Sequence, residues 1–109
     1  MKSVLTPILI VVILLCATPL SAADAAAGKD VFLKKCATCH GPSGEGKAAL
    51  AKALKVEFRH LGSKEVQARS DADLKKVLLE GTGKMKPVKD FDAKAADDVL
   101  AFLRTLERK

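Results

Sequence analysis

Cys36-Ala37-Thr38-Cys39-His40 sets two thiols one helical turn apart and follows the second directly with an imidazole. The segment before it, Ala25 to Lys35, predicts a helix with Asp24 as its N-cap that runs straight into the first cysteine. After it, the turn signals Gly41-Pro42-Ser43-Gly44 and Gly46 end the helical run. Lys47 to Lys55 is rich in Ala and Leu and predicts a short helix, whereas Val56 to Gly62, with Phe58 and His60, has no clear period and predicts a loop. Ser63 is placed to cap a turn through Arg69. Ser70-Asp71-Ala72-Asp73 then opens, in the manner of a capping box, a helix whose Leu74, Val77 and Leu78 share one face and which Gly81 closes. Gly81 to Phe91 predicts an irregular loop containing Met85 and Pro87. Asp92 caps a last helix, in which Ala95, Val99, Phe102, Leu103 and Leu106 recur at three- and four-residue steps. The chain shows no internal repeat and no low-complexity tract.

The 109 residues and their excess of six positive charges allow one small domain, preceded by a segment that reads as an address. Lys2 supplies a positive end, Ile8 to Ala17 is an unbroken apolar run, and Ser21-Ala22-Ala23 has the small residues that a signal peptidase accepts. The expectation is a cleavable signal peptide over residues 1–23 and a domain over 24–109, located in the periplasm or otherwise exported. The apolar run is short for a membrane span, which needs roughly 20 residues, so none is expected after cleavage. No Arg pair precedes the run to suggest twin-Arg export. Lipid attachment at Cys16, where bulky Leu15 stands in place of a small residue, and an uncleaved anchor are the alternatives. All three isoleucines leave with the leader, and Ala, Leu and Lys make up 38 of the remaining 86 residues. That mixture favours helices and excludes an all-β sandwich. With four Phe and no Trp or Tyr the core is thin, and a domain of this size commonly needs a staple such as a disulfide, metal or cofactor.

Cys36 and Cys39 are the thiols left after cleavage. Export favours disulfides, but a loop this small would remove little chain entropy. The pattern C-x-x-C-H is the attachment signal for c-type haem: each thiol can add to one vinyl group of the porphyrin, and the next residue brings its imidazole to the iron. A zinc site would need four ligands, and beyond these three the domain offers only His60 and scattered carboxylates. A thioredoxin-like pair belongs between a strand and a helix in a βαβ unit, whereas this pair follows a helix in a chain poor in strand formers. Covalent haem c is therefore the expected cofactor. Met85, the one methionine besides the initiator, follows His40 by 45 residues in the Gly-flanked loop Gly81-Thr82-Gly83-Lys84-Met85-Lys86-Pro87. A lone Met is usually core filler, but this one sits between two lysines with no apolar face to join. It is the expected second axial ligand opposite His40, an arrangement that raises the reduction potential because sulfur favours ferrous iron. His60, among Arg59, Lys64 and Glu65, is the competitor.

Over nearly the whole domain the chain resembles the small class I c-type cytochromes: an N-terminal helix ending in C-x-x-C-H, a distal Met loop and an amphipathic C-terminal helix. The resemblance implies an all-α fold in which the first and last helices cross at a small residue with aromatic packing, and the haem is enclosed by helices and loops. Gly28, Phe32, Val99 and Phe102 match that crossing. It also implies one haem, covalently attached through Cys36 and Cys39, with His40 and Met85 as axial ligands. Two departures stand out. Met85-Lys86-Pro87 occurs where the family more often has Pro directly after Met. The segment after Gly46 lacks the Gly-Pro whose carbonyl, in some relatives, accepts the second N–H of the ligand histidine.

A six-coordinate haem leaves no room for a substrate, so the expected function is one-electron transfer between larger redox proteins by a monomeric, non-enzymatic carrier. Lys2 leaves with the leader, and the domain keeps an excess of five positive charges. Lys34, Lys35, Lys84, Lys86 and Lys89 flank the two ligand-bearing segments and could form a basic ring for acidic partners; ordinary solubilising lysine is the equal alternative. Export and the absence of stacking aromatics argue against nucleic acid as a partner. Two other classes stay open: a gas-binding haem protein, in which Met85 would be absent or labile at the iron, and a subunit tethered to a larger oxidoreductase.

Overall fold

The computed structural model describes Ser3 and residues 23–108, so the expected signal peptide, apart from Ser3 and Ala23, lies outside the described residues. Six helices follow in order: α1 (Ala25–Lys35), α2 (Ala37–His40), α3 (Ala48–Leu54), α4 (Lys64–Gln67), α5 (Asp71–Glu80) and α6 (Ala93–Thr105). Among the described residues no strand forms, and the expected all-α class holds; the one extended pairing is an isolated bridge between Thr82 and Met85. Each predicted cap is made. The Asp24 carboxylate accepts from Ala26 N at 2.9 Å and Ala27 N at 3.1 Å, the Ser70 hydroxyl from Asp73 N at 3.1 Å, and the Asp92 carboxylate from Ala95 N at 2.8 Å. Each cap satisfies donors that a helix start leaves free. Ser63 likewise accepts from Val66 N, and the turn expected there is the short helix α4.

The core forms where α1 crosses α6. Phe32 and Val99 are almost fully enclosed, each contributing roughly 1.5–3 kcal/mol by burial, and Phe32 tilts against Phe102 with ring centroids 5.1 Å apart. Gly28 lets the two backbones meet: a Cβ there would overlap the Asp98 carbonyl and lie 2.9 Å from Val99 N. Ala96, Leu100 and Leu103 complete the buried face of α6, against which α5 sets Leu74 and Leu78. A polar tie closes the other side. Arg104 donates to Asp71 Oδ1 at 2.7 Å, to the Arg69 carbonyl at 2.8 Å and to the Gln67 carbonyl at 2.9 Å. Gln67 Nε2 in turn donates to the carbonyls of Leu61 and Leu103. The α4–α5 junction is thereby fastened to α6.

Candidate functional site

The helical run of α1 passes through Cys36, whose N–H donates to the Phe32 carbonyl at 2.8 Å, and α2 begins at once. Cys36 is buried, Cys39 is half-buried, and both thiols are free. The glycine-rich turn then folds back beneath the motif, with Gly46 N donating to the His40 carbonyl at 2.6 Å and Lys47 N to that of Cys39 at 3.0 Å. The exposed Glu45 carboxylate accepts from Ser43 N at 2.8 Å and braces the turn. Phe58 packs its ring against His40, with centroids 5.5 Å apart and planes at 60°. Sequence reasoning passed over Phe58, because Val56 to Gly62 has no period; the available signal was one of four Phe standing between Glu57 and Arg59.

Burial sets the charge state of these groups. It lowers the affinity of the His40 imidazole for a proton, leaving at neutral pH the unprotonated ring that can bind a metal. His40 Nδ1 is buried with no hydrogen-bond partner among the described residues, so the acceptor that the family's pattern would provide is missing there. Burial likewise pushes the Cys36 thiol up to about 11, with Lys35 opposing and Cys39 reinforcing the shift. A thiol that stays protonated does not serve thiol–disulfide exchange, which proceeds through a thiolate.

Met85 comes from the loop after α5. Gly81 ends that helix at φ +77°, and a Cβ there would meet the Met85 carbonyl at 2.5 Å and Pro87 N at 2.9 Å. Only glycine combines that conformation with that approach. Thr82 and Met85 then exchange two backbone hydrogen bonds of 2.9 Å each, a tight turn that fixes the methionine backbone despite the displaced proline. Two lysines fasten the loop to the rest of the fold: Lys84 Nζ donates to the Leu54 carbonyl at the end of α3, and Lys35 Nζ donates to the Lys89 carbonyl at 2.8 Å.

Two cavities meet at these groups. The larger, about 460 Å³, opens between the Cys36–His40 segment and the Lys84–Lys89 loop. The smaller, about 70 Å³, reaches inward to Phe32, Leu74, Leu78 and Val99. Cys36, His40 and Met85 line both. Cys39 lines the larger, so the structure gathers all four expected site residues around one hollow. Lys35, Lys84, Lys86 and Lys89 rim its mouth, but Lys34, expected in the same ring, does not line it. His60 lines neither cavity, and its Nδ1 accepts from Gly62 N at 2.9 Å, which occupies it in a turn. The residues fit a haem: an apolar slot, two thiols on one wall, an unprotonated imidazole with an unpartnered ring nitrogen, and a thioether in the loop that closes the slot.

Residues 23–103 match the family described as "Cytochrome C oxidase, cbb3-type, subunit III". No curated protein sequence matches the chain. Among solved structures, the chain is similar to the KustC0563 c-type cytochrome at 27% identity and a TM-score of 0.64, over 74% of this chain and 98% of that one. It shares its fold with cytochrome cL from Hyphomicrobium denitrificans, at 23% identity and a TM-score of 0.61, over 80% of this chain and 49% of that one. Helix crossing, C-x-x-C-H segment, methionine loop and family match converge: the chain belongs to this cytochrome c family, a small monohaem class I c-type cytochrome with covalently bound haem c and an electron-transfer role.

Proposed function

We propose that the chain is an exported, soluble carrier that shuttles single electrons between larger redox proteins and catalyses no reaction of its own. In this reading Cys36 and Cys39 would hold the haem through thioethers, and His40 and Met85 would supply nitrogen and sulfur to its iron. The observation that carries it is the shared lining of both cavities by Cys36, His40 and Met85. When bound, the haem supplies a one-electron iron couple. The chain supplies the rest. Phe58 and the folded-back turn orient the His40 ring, the Thr82–Met85 turn holds the thioether in place, and the apolar inner wall keeps water from the buried side. With both donor side chains held by the fold, the chain itself would need little rearrangement. The family match beginning at residue 23 and the helix cap at Asp24 support cleavage after Ala23.

Optical spectra of the purified ferric and ferrous protein, with and without carbon monoxide, test the assignment. A low-spin protein that resists carbon monoxide is the expected result, and fast uptake at neutral pH overturns it in favour of a gas binder. Intact-mass analysis after denaturation should show one haem on the chain and none on the Cys36→Ala/Cys39→Ala variant. The family description, which names an oxidase subunit, favours a second reading as a permanent subunit of a larger oxidoreductase. Gel filtration of native material separates the two, a monomer supporting the carrier.

The lysines at the cavity mouth support docking to acidic surfaces. Electron transfer to an acidic partner should slow as salt rises, because exposed charges are screened beyond a Debye length of about 10 Å at 0.1 M. Lys86→Glu should slow association more than Lys64→Glu, which lies on α4 away from the mouth. A rate independent of ionic strength removes the basic-rim assignment.

A further inference from the structure

Asp98 has no part in electron transfer as described above, yet it is the one buried charged side chain among the described residues. It sits on α6 where Gly28 of α1 crosses. Its Oδ2 accepts from Lys94 Nζ at 2.9 Å, and its Oδ1 accepts from the backbone N–H of Asp24, also at 2.9 Å. The Lys94 side chain is 71% exposed while that of Asp98 is 7% exposed, so the lysine is a loosely held partner. The amide and the lysine keep the carboxylate ionised, but the Asp24 N–H is neutral and the only cation on it is largely solvated, which leaves Oδ1 free to take a closer positive charge. Asp24 is also the residue at which the small-residue cleavage signal ends.

We propose that Asp98 is the seat of the α-ammonium group created when the chain is cut between Ala23 and Asp24, so that removal of the leader gives this buried carboxylate a cation at the molecule's surface. The inference rests on the processing reading and is independent of the haem chemistry. Hydrolysis adds one water across the Ala23–Asp24 amide. Ala23 departs with the carboxylate, and the nitrogen of Asp24 takes up protons to become an ammonium at the position where its N–H already meets Oδ1. The residue is exposed, so the remaining donors reach solvent.

The groups around that nitrogen favour a cation. On α6 they are Asp98 and its partner Lys94, and from the start of α1 the carboxylate of Asp24 itself, which already caps Ala26 and Ala27; Ala23, one residue before, shares a hollow with Asp71 of α5 and with Asp97 and Arg104 of α6. Asp71 is paired with Arg104 and Asp97 with Lys75, so Asp98 and Asp24 stand against Lys94 alone. The N-terminal end of α1 works the other way, because a helix start repels positive charge. A new ammonium there needs a carboxylate close by, and Asp98 provides it. The Asp24 N–H, with Lys94 second, holds Asp98 below the ordinary carboxylate range, so it is ionised throughout the range in which an α-amine titrates.

An amine seated on Asp98 titrates above the ordinary α-amino value of roughly 7.7–8.0. Its stabilisation is then complete below that value and disappears as pH rises through the raised one. The test uses the exported, haem-loaded protein, with its N-terminus read by intact mass and its α-amine titrated by NMR after isotopic labelling. The expected result is an amine pKa raised by about one unit or more, a tenfold gain in proton affinity. Asp98→Asn, which keeps shape and an acceptor, should return the amine to its ordinary range and remove the matching loss of thermal stability between about pH 8 and 10. Lys94→Ala should leave the shift in place. A glycine inserted before Asp24, so that export leaves the amine one residue further out, should abolish it. An Asp24 amine with an ordinary pKa, or one unchanged by Asp98→Asn, overturns the seat. A mature N-terminus other than Asp24 overturns the processing step, and the optical spectra judge the electron-transfer reading separately.

Discussion

Met85→Ala should turn a low-spin protein that resists carbon monoxide into one that binds it readily, with a lower reduction potential. The thioether is a neutral ligand that stabilises ferrous iron, so its loss shifts the couple toward the ferric state. A fall on the order of 200 mV is expected, within the roughly 0.8 V span that axial ligation commands. The turn that carries the residue should survive, because Thr82 and the residue at position 85 are joined through backbone atoms alone. The opened position will take water or a lysine in the absence of carbon monoxide, and Lys84 and Lys86 are adjacent in the chain. Met85→His should restore six-coordination at a potential below that of the parent, since imidazole favours ferric iron more than sulfur does. Spectra and redox titration of the three proteins decide the matter. If the parent already binds carbon monoxide fast and its spectrum is unchanged by Met85→Ala, Met85 is no ligand.

Gly28→Ala separates two opposite physical expectations. Helix propensity alone favours Ala over Gly by about 1 kcal/mol, which in a domain this small would raise the melting temperature by roughly 4–8 °C. The crossing predicts the reverse. The added Cβ meets the Asp98 backbone carbonyl, which cannot rotate away as a side-chain tip would, so α1 and α6 must part. Overpacking costs about 1–3 kcal/mol, and backbone opposing Cβ belongs at the upper end. Set against the propensity gain, a net loss of about 2 kcal/mol corresponds to a fall of roughly 8–16 °C. Thermal unfolding of the haem-loaded variant, followed by circular dichroism, gives the sign directly, and a rise would mean that the helices cross more loosely than described.

The helices were legible from single stretches of sequence because their determinants are local. Asp24, Ser70 and Asp92 cap donors no more than three residues ahead, and Gly81 ends α5 through its own backbone preference. Met85 stood out in the sequence as a thioether between two lysines in a glycine-flanked loop, and the structure gives it the apolar contact that the sequence did not show, against the core cluster and the inner cavity. The loop from Val56 to Gly62 was read correctly as irregular but not for what it carries. Phe58 belongs to no periodic face, and only folding brings it against His40. The lysine ring was legible in outline, and the structure trims it at Lys34, since neighbours in a helix need not share a face.

The sequence by itself determined the helical class, the starts of α1, α5 and α6, and the cofactor chemistry of Cys36-Ala37-Thr38-Cys39-His40. Each of these depends on residues within a turn or two of one another, or on a donor type that occurs almost nowhere else in the domain. The tertiary structure alone decided which groups meet across the chain. Asp98 reaches Asp24 over 74 residues, Arg104 reaches Gln67 over 37, and Lys35 reaches Lys89 over 54. None of these pairs has a spacing rule. Their meeting depends on where α1 and α6 cross, and that crossing is set by Gly28 and a face of packed side chains.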